Sequence, residues 1–193
     1  QWSSSAASDV YKRQVLNKLV LFILIFSIHF TYSQKVNWVS FEQAVELQKT
    51  NPKNIMMDVY TEWCGPCKMM DKNTFENPLI AKFLNDNFYA VKFNAEGTEK
   101  VSYNGKVYGN PNYKSGRIRN SSHDFSRYLG INSYPTIVFF DKDSKPIAPI
   151  RGYQGPTQIE VYLNLFLGDR YLSVTNQDEF REFLSSMKSM FKS

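Results

Sequence analysis

The only two cysteines of this 193-residue chain, Cys64 and Cys67, stand three positions apart just after an apolar run. That run, Asn54 to Thr61, contains a single acid, Asp58, and reads as a core strand. Gly65-Pro66 between the cysteines permits a tight entry into a helix, because proline is tolerated in a helix's first turn. A stapled secreted scaffold would spread several cysteines along the chain. Two so close together form a loop too small to remove much unfolded-state entropy, so the pair suits chemistry better than stapling. A thiolate attacks disulfides and a thiol does not. At a helix start, Cys64 would meet unpaired N–H groups and positive potential, which favour the thiolate. Cys64 is expected on the solvent side. Cys67, one turn in, is placed to resolve a mixed disulfide on Cys64.

The flanking sequence alternates helices and strands. Ser40 and Gln43 form a capping-box pattern that opens a helix with an apolar face of Phe41, Ala44, Val45 and Leu47. A helix is expected from Lys68 to about Phe75, and another starts with Asn77 as cap and Pro78 as first residue, with Leu79, Ile80, Phe83 and Leu84 inward. Asn87 to Asn94 reads as a strand. Residues 95–121 are polar and glycine-rich, and contain Asn104-Gly105 between short β-prone runs, which predicts an inserted hairpin with a type I′ turn. Ser122 is expected to cap a short helix from His123 to Leu129, stopped by Gly130. Core strand Ile137 to Phe140, edge strand Pro146 to Arg151 and helix Pro156 to Leu167 follow. A further amphipathic helix is expected over 176–191, its stripe of Phe180, Phe183, Leu184, Met187 and Phe191 laid on the domain. The order implies an α/β fold, with a mixed central sheet flanked by helices.

Composition narrows the function. The formal charge is +5; without residues 1–33, which carry a net +2, it is +3. No block of like charge and no basic–aromatic stripe occurs, so no nucleic-acid partner is expected. Lys18 followed by an apolar Leu19 to Ile28, with Thr31 and Ser33 before a cut at Gln34, reads as a signal peptide over 15–33. An uncleaved membrane anchor is the alternative. Residues 1–14 resemble translated adapter or cloning sequence. Residues 34–193 then form one domain, expected to be periplasmic or secreted and monomeric.

Trp63-Cys64-Gly65-Pro66-Cys67-Lys68 resembles the active-site signature of the thioredoxin family, and Tyr134-Pro135-Thr136 resembles its cis-proline loop. The resemblance covers roughly 36–168, setting aside the insert, and implies the thioredoxin-like fold. It implies that backbone groups before Pro135 pair with a substrate backbone. Asp58, six residues before Cys64, matches a buried family acid that accepts a proton from Cys67 through water, and Lys92 matches the lysine beside that acid. Lys68 to Phe75 resembles exported thiol reductases supplied with electrons across the inner membrane. The insert, the terminal helix and the signal peptide depart from the minimal family pattern.

The expected catalytic residues are therefore Cys64, Cys67, Asp58 and Lys92. Trp63, Gly65, Pro66, Tyr134, Pro135 and Thr136 are the expected substrate-binding residues. No metal and no cofactor beyond the Cys64–Cys67 disulfide is expected, and the partners are protein disulfides and a membrane-embedded electron donor. The resulting function is a protein-disulfide reductase of the cell envelope. The alternatives are a disulfide oxidase or isomerase, and a copper-binding or chaperone-like module without turnover, in which the thiolates and Met69 or Met70 would hold copper(I). His123 is read as a surface residue at a helix start. The tyrosine-rich insert (Tyr103, Tyr108, Tyr113) reads equally as a folded loop and as an element that selects partners.

Overall fold

The computed structural model describes residues 34–188 together with 14, 18 and 191. The expected adapter and signal segments lie outside the described residues, Gln14 and Lys18 aside. Among the described residues, no helix is long and apolar enough to cross a membrane.

The elements run β1 (Trp38–Val39), α1 (Phe41–Gln48), β2 (Asn54–Tyr60), α2 (Gly65–Met70), a π-helical stretch Asp71–Phe75, α3 (Pro78–Asn87) and β3 (Phe88–Asn94). The hairpin β4 (Val101–Tyr103) and β5 (Lys106–Tyr108) follows, then α4 (Asp124–Tyr128), β6 (Thr136–Phe140), β7 (Pro146–Arg151), α5 (Pro156–Leu165), a 3-10 turn Arg170–Ser173 and α6 (Gln177–Ser186). Five strands form one sheet in the order β1-β3-β2-β6-β7. β1, β3 and β2 are parallel, while β6 and β7 run antiparallel to their neighbours. This is the thioredoxin-like mixed sheet flanked by helices. β1 was not expected: two residues are too few to show a period.

β2 is buried on both faces, so its alternating side chains feed two cores. Ile55, Met57 and Val59 join Phe41, Phe93, Phe125 and Phe140 on one side. Met56 joins Met70, Ile80, Leu84, Phe139 and Ile159 on the other. Asp58, two positions after Met56, shares that second face, the face of the helix that follows Cys64.

Two of the helix-start signals and the hairpin signal hold. Ser40 and Gln43 make both bonds of the capping box. The Asn77 side chain accepts from the amides of Leu79 and Ile80. Asn104 and Gly105 have φ of 50° and 72°, the left-handed pair that a type I′ turn requires. Several inward assignments fail. Leu47 and Leu79 face solvent. Gln48 is buried instead, donating to the carbonyls of Lys53 and Asp141 and accepting from Ser144, which satisfies its amide. The helix after Cys64 starts at Gly65, as the placing of Cys64 at a helix start requires and three residues before Lys68, and changes to π geometry from Asp71.

His123, not Ser122, caps α4, and it is fully buried. Its Nδ1 accepts the Phe125 amide at 3.0 Å and its Nε2 lies 2.7 Å from the Glu99 carbonyl. Both ring nitrogens have partners, which is why the imidazole can sit inside rather than on the surface.

The terminal helix is shorter than expected, and none of its residues is fully buried. Residues 189 and 190 lie outside the described residues. Anchoring comes from Phe191, beyond the helix: its ring packs edge-on against Phe83 at 5.5 Å, and its amide donates to Glu160 Oε1 at 3.3 Å.

Candidate active site

β2 ends at Tyr60, and four residues later Cys64 takes the N-cap position of α2 with an extended backbone. The turn is held by Cys64 N–H to the Thr61 carbonyl at 3.1 Å. Cys64 Sγ accepts the Cys67 amide at 3.1 Å, and the two sulfurs form a disulfide. Pro66 occupies the first turn, where its missing N–H removes no helical bond. Gly65 has no left-handed φ, and a Cβ there would meet nothing within 4 Å. Glycine permits the turn without being demanded by it, and the space a side chain would fill at this position is open. Cys64 is 3 % exposed rather than on the solvent side. Its sulfur faces its partner sulfur and the Cys67 amide instead of water.

Behind the disulfide, register places Lys92 directly opposite Asp58 in the parallel β2–β3 ladder. Lys92 Nζ lies 2.6 Å from Asp58 Oδ2. Asp58 is fully buried, and its Oδ1 has no hydrogen-bond partner. Burial pushes the Asp58 carboxyl from 3.8 up to about 6, against the pull of the Lys92 charge; Asp71 adds a smaller upward push. Lys92 also pairs with Asp71, at the start of the π-helical stretch. Its ammonium lies within 4.9 to 5.6 Å of the ring centres of Tyr60, Trp38 and Phe75. One lysine thus serves two carboxylates inside an aromatic surround. Asp71 is a site neighbour that the sequence reading did not single out; its signal was an acid two turns into the helix after Cys64.

Trp63 and Tyr134 meet edge to face, with centroids 6.1 Å apart, so the residues preceding Cys64 and Pro135 are brought together. The Tyr134–Pro135 bond is cis. Burial raises the Tyr134 phenol. The Pro135 carbonyl accepts the Gly152 amide at 2.9 Å. Thr136 is buried, and its hydroxyl donates to the Ser133 carbonyl at 2.8 Å, so it braces the proline loop from within rather than offering a surface to substrate.

The insert reaches this site. Glu96 Oε2 accepts from Trp63 Nε1 at 3.0 Å and from the Asn120 amide at 2.7 Å. The Arg119 guanidinium lies over the Trp63 ring at 4.3 Å. Glu96, Arg119 and Asn120 were missed, because nothing local in the sequence ties them to a tryptophan so far away along the chain. Among the described residues, no cluster of three or more His, Cys, Asp or Glu is placed to hold a metal ion.

Residues 41–167 match the family model described as a thioredoxin-like domain. The chain belongs to the thioredoxin-like domain family. Among curated proteins it is 26% identical over 134 residues to the thiol:disulfide interchange protein DsbD of Photorhabdus laumondii, covering 68% of this chain and 19% of that one. It is 28% identical over 121 residues to the DsbD of Citrobacter koseri, covering 61% of this chain and 17% of that one. The chain thus spans less than a fifth of the length of these relatives. A thioredoxin from Thermus thermophilus shares the fold with a TM-score of 0.51 and 14% identity, over 70% of this chain and 90% of that one. The cysteine pair therefore sits on the fold of thioredoxin-like thiol–disulfide oxidoreductases.

Proposed function

We propose that this chain is a protein-disulfide reductase of the cell envelope. The observation that carries the reading is the Cys64–Cys67 pair at the start of α2, with the buried, high-pKa Asp58 on the same sheet face as that helix. In the reduced protein, the Cys64 thiolate attacks one sulfur of a substrate disulfide. That S–S bond breaks, a mixed disulfide forms, and one substrate thiolate leaves. Cys67 then gives its proton to Asp58 through water and attacks Cys64 Sγ. The second substrate thiol is released and the Cys64–Cys67 disulfide closes, so two electrons have passed to the substrate. A carboxyl titrating near pH 6 is mostly ionised at neutral pH, yet basic enough to take up a proton there. Asp58 Oδ1 has no partner to compete for that proton. Lys92 holds the carboxylate in place, and Trp63, Tyr134 and Pro135 form the rim over which the substrate strand lies. Electrons return from a partner dithiol, for which a membrane-embedded donor is proposed.

The reducing direction is supported by the Gly65-Pro66 pair, which resembles that of thioredoxin, poised at about −270 mV against about −120 mV for a strong oxidase. The name of the DsbD relatives supports thiol–disulfide interchange, and the segment Leu19 to Ile28 supports export. The test is the equilibrium potential of the Cys64–Cys67 pair against glutathione. A value near or below about −250 mV supports the reductase; one above about −180 mV overturns it in favour of an oxidase or isomerase.

A further inference from the structure

The charge of residues 34–193 is unevenly placed. Their net charge is +3, and residues 95–121 alone carry +3, with five Lys and Arg against two Glu. The rest of the domain is neutral. Of the insert's two acids, Glu96 is engaged with Trp63 and Asn120, and exposed Glu99 lies near Glu42, outside the loop that follows the hairpin. Three of the cations, Lys114, Arg117 and Arg119, fall in the stretch 111–119, all of it exposed and without an acid. None of the three forms an ion pair among the described residues.

This loop is built rather than loose. The Asn120 side chain accepts the Lys114 amide at 2.6 Å and donates to the Lys114 carbonyl at 3.0 Å, closing the loop at its neck. Gly116, with φ of 79°, makes the reversal inside it. Asn110 donates to the carbonyls of Glu96 and Ser121 and accepts the Ser121 hydroxyl, tying both stems together. Arg119 then lays one end of the loop on Trp63, next to Cys64. Ile118, 81% exposed, adds an apolar contact beside the cations. Ordering has already been met in the free protein, so little is lost when a partner docks.

We propose that loop 111–119 is a docking surface for an acidic segment flanking the disulfide of the protein that exchanges with Cys64. The inference rests on the oxidoreductase reading and adds the chemistry of its partner. Complementary charge steers encounter and is weakened by salt. Arg119 is committed to the Trp63 face, which leaves Lys114 and Arg117 as the freely projecting cations.

The experiment compares two disulfide-linked peptides that differ only in flanking residues, aspartates in one and lysines in the other. The protein is reduced beforehand, and thiol release reports the second-order rate. At about 0.01 M ionic strength the acidic peptide is expected to react about tenfold faster, a preference that falls towards unity at about 1 M as screening shortens to a few ångström. Lys114→Ser with Arg117→Ser lowers the preference to about twofold. Lys49→Ser with Lys82→Ser removes the same charge elsewhere and keeps it. Equal rates for both peptides in the parent protein at low salt overturn the docking surface. So does a preference that survives in the loop variant, or one lost equally in the distant variant. Hydroxyethyl disulfide, small and uncharged, separates the two readings. Failure to reduce it and both peptides overturns the oxidoreductase itself, whereas reduction of all three at rates blind to charge overturns only the docking surface.

Discussion

Replacing Asp58 with asparagine tests the electrostatic core of the site through folding alone. The Asp58 carboxyl is raised from 3.8 to about 6 in the folded chain, with burial as the leading cause. A raised carboxyl pKa means that the native state keeps its proton to higher pH than the unfolded chain does. The stability associated with this group is therefore complete below about pH 4 and is lost as pH rises through about 6. A shift of about two units corresponds to about 3 kcal/mol, since each unit is worth about 1.4 kcal/mol. The residue is fully buried, so solvent screening does not reduce this figure. Asparagine is nearly isosteric and never ionises, and Lys92 keeps Asp71 as its ion partner. Asp58→Asn should thus gain about 3 kcal/mol over the parent between about pH 4 and about pH 8, on top of any constant offset. For a domain of this size that gain corresponds to a relative rise in Tm of about 6–12 °C. The assay is urea unfolding of both proteins in the oxidised form at the two pH values, so that neither cysteine titrates. A stability difference that does not change with pH, or that favours the parent more strongly at pH 8, would refute the assignment of an ionised, desolvated carboxylate to this position.

Four further outcomes follow from the same geometry. Cys64→Ser should abolish disulfide turnover, while Cys67→Ser should accumulate the mixed disulfide with a model peptide, read by mass spectrometry under non-reducing conditions. Lys92→Met strands two carboxylates, one of them buried, and should destabilise the protein by about 3 kcal/mol at pH 7 in a denaturant titration, because removing one partner of a buried pair leaves an uncompensated charge. In single-turnover kinetics at neutral pH, Asp58→Asn should slow release of the second substrate thiol more than formation of the mixed disulfide; equal slowing of both would remove Asp58 from the resolving step. Phe191→Ala deletes the ring packed on Phe83 and should cost about 3 kcal/mol in thermal or chemical unfolding, whereas Leu184→Ala, on the more exposed α6, should change stability by less than about 1 kcal/mol.

Features governed by neighbours within four residues were legible in the sequence. The capping box at Ser40, the Asn77 cap and the Asn104-Gly105 turn each depend on a side chain and a backbone group a few positions apart. Asp58 was legible as buried because the run around it is apolar on both alternating faces, the pattern of a central strand. Side chains whose partners lie far along the chain were not legible. His123 reads as a polar helix start, and only the Glu99 carbonyl, brought back by the hairpin, gives its second nitrogen a partner inside the protein. Gln48 is buried by the carbonyl of Asp141, 93 residues away. Asp71 meets Lys92 only because the helix after Cys64 carries that residue back to β3, 21 positions away along the chain.

The position of the insert has a topological cause that joins these observations. β2 and β3 are parallel neighbours in continuous register, with Tyr60 opposite Asn94. Parallel strands end at the same edge of a sheet, so whatever follows β3 emerges beside whatever follows β2. Cys64 follows β2 and the insert follows β3; the first link between them is the Ala95 amide bonded to the Tyr60 carbonyl at 2.8 Å. Open α/β sheets place their ligands at this carboxyl edge. An insertion of the same length before β3 would emerge at the opposite edge and could not reach Trp63. The sequence alone showed where the added residues lie, but not the edge to which they lead, because that depends on the pairing of β2 with β3. Once that pairing is known, Glu96 and Arg119 are drawn to Trp63 by the same parallel register that sets Lys92 against Asp58.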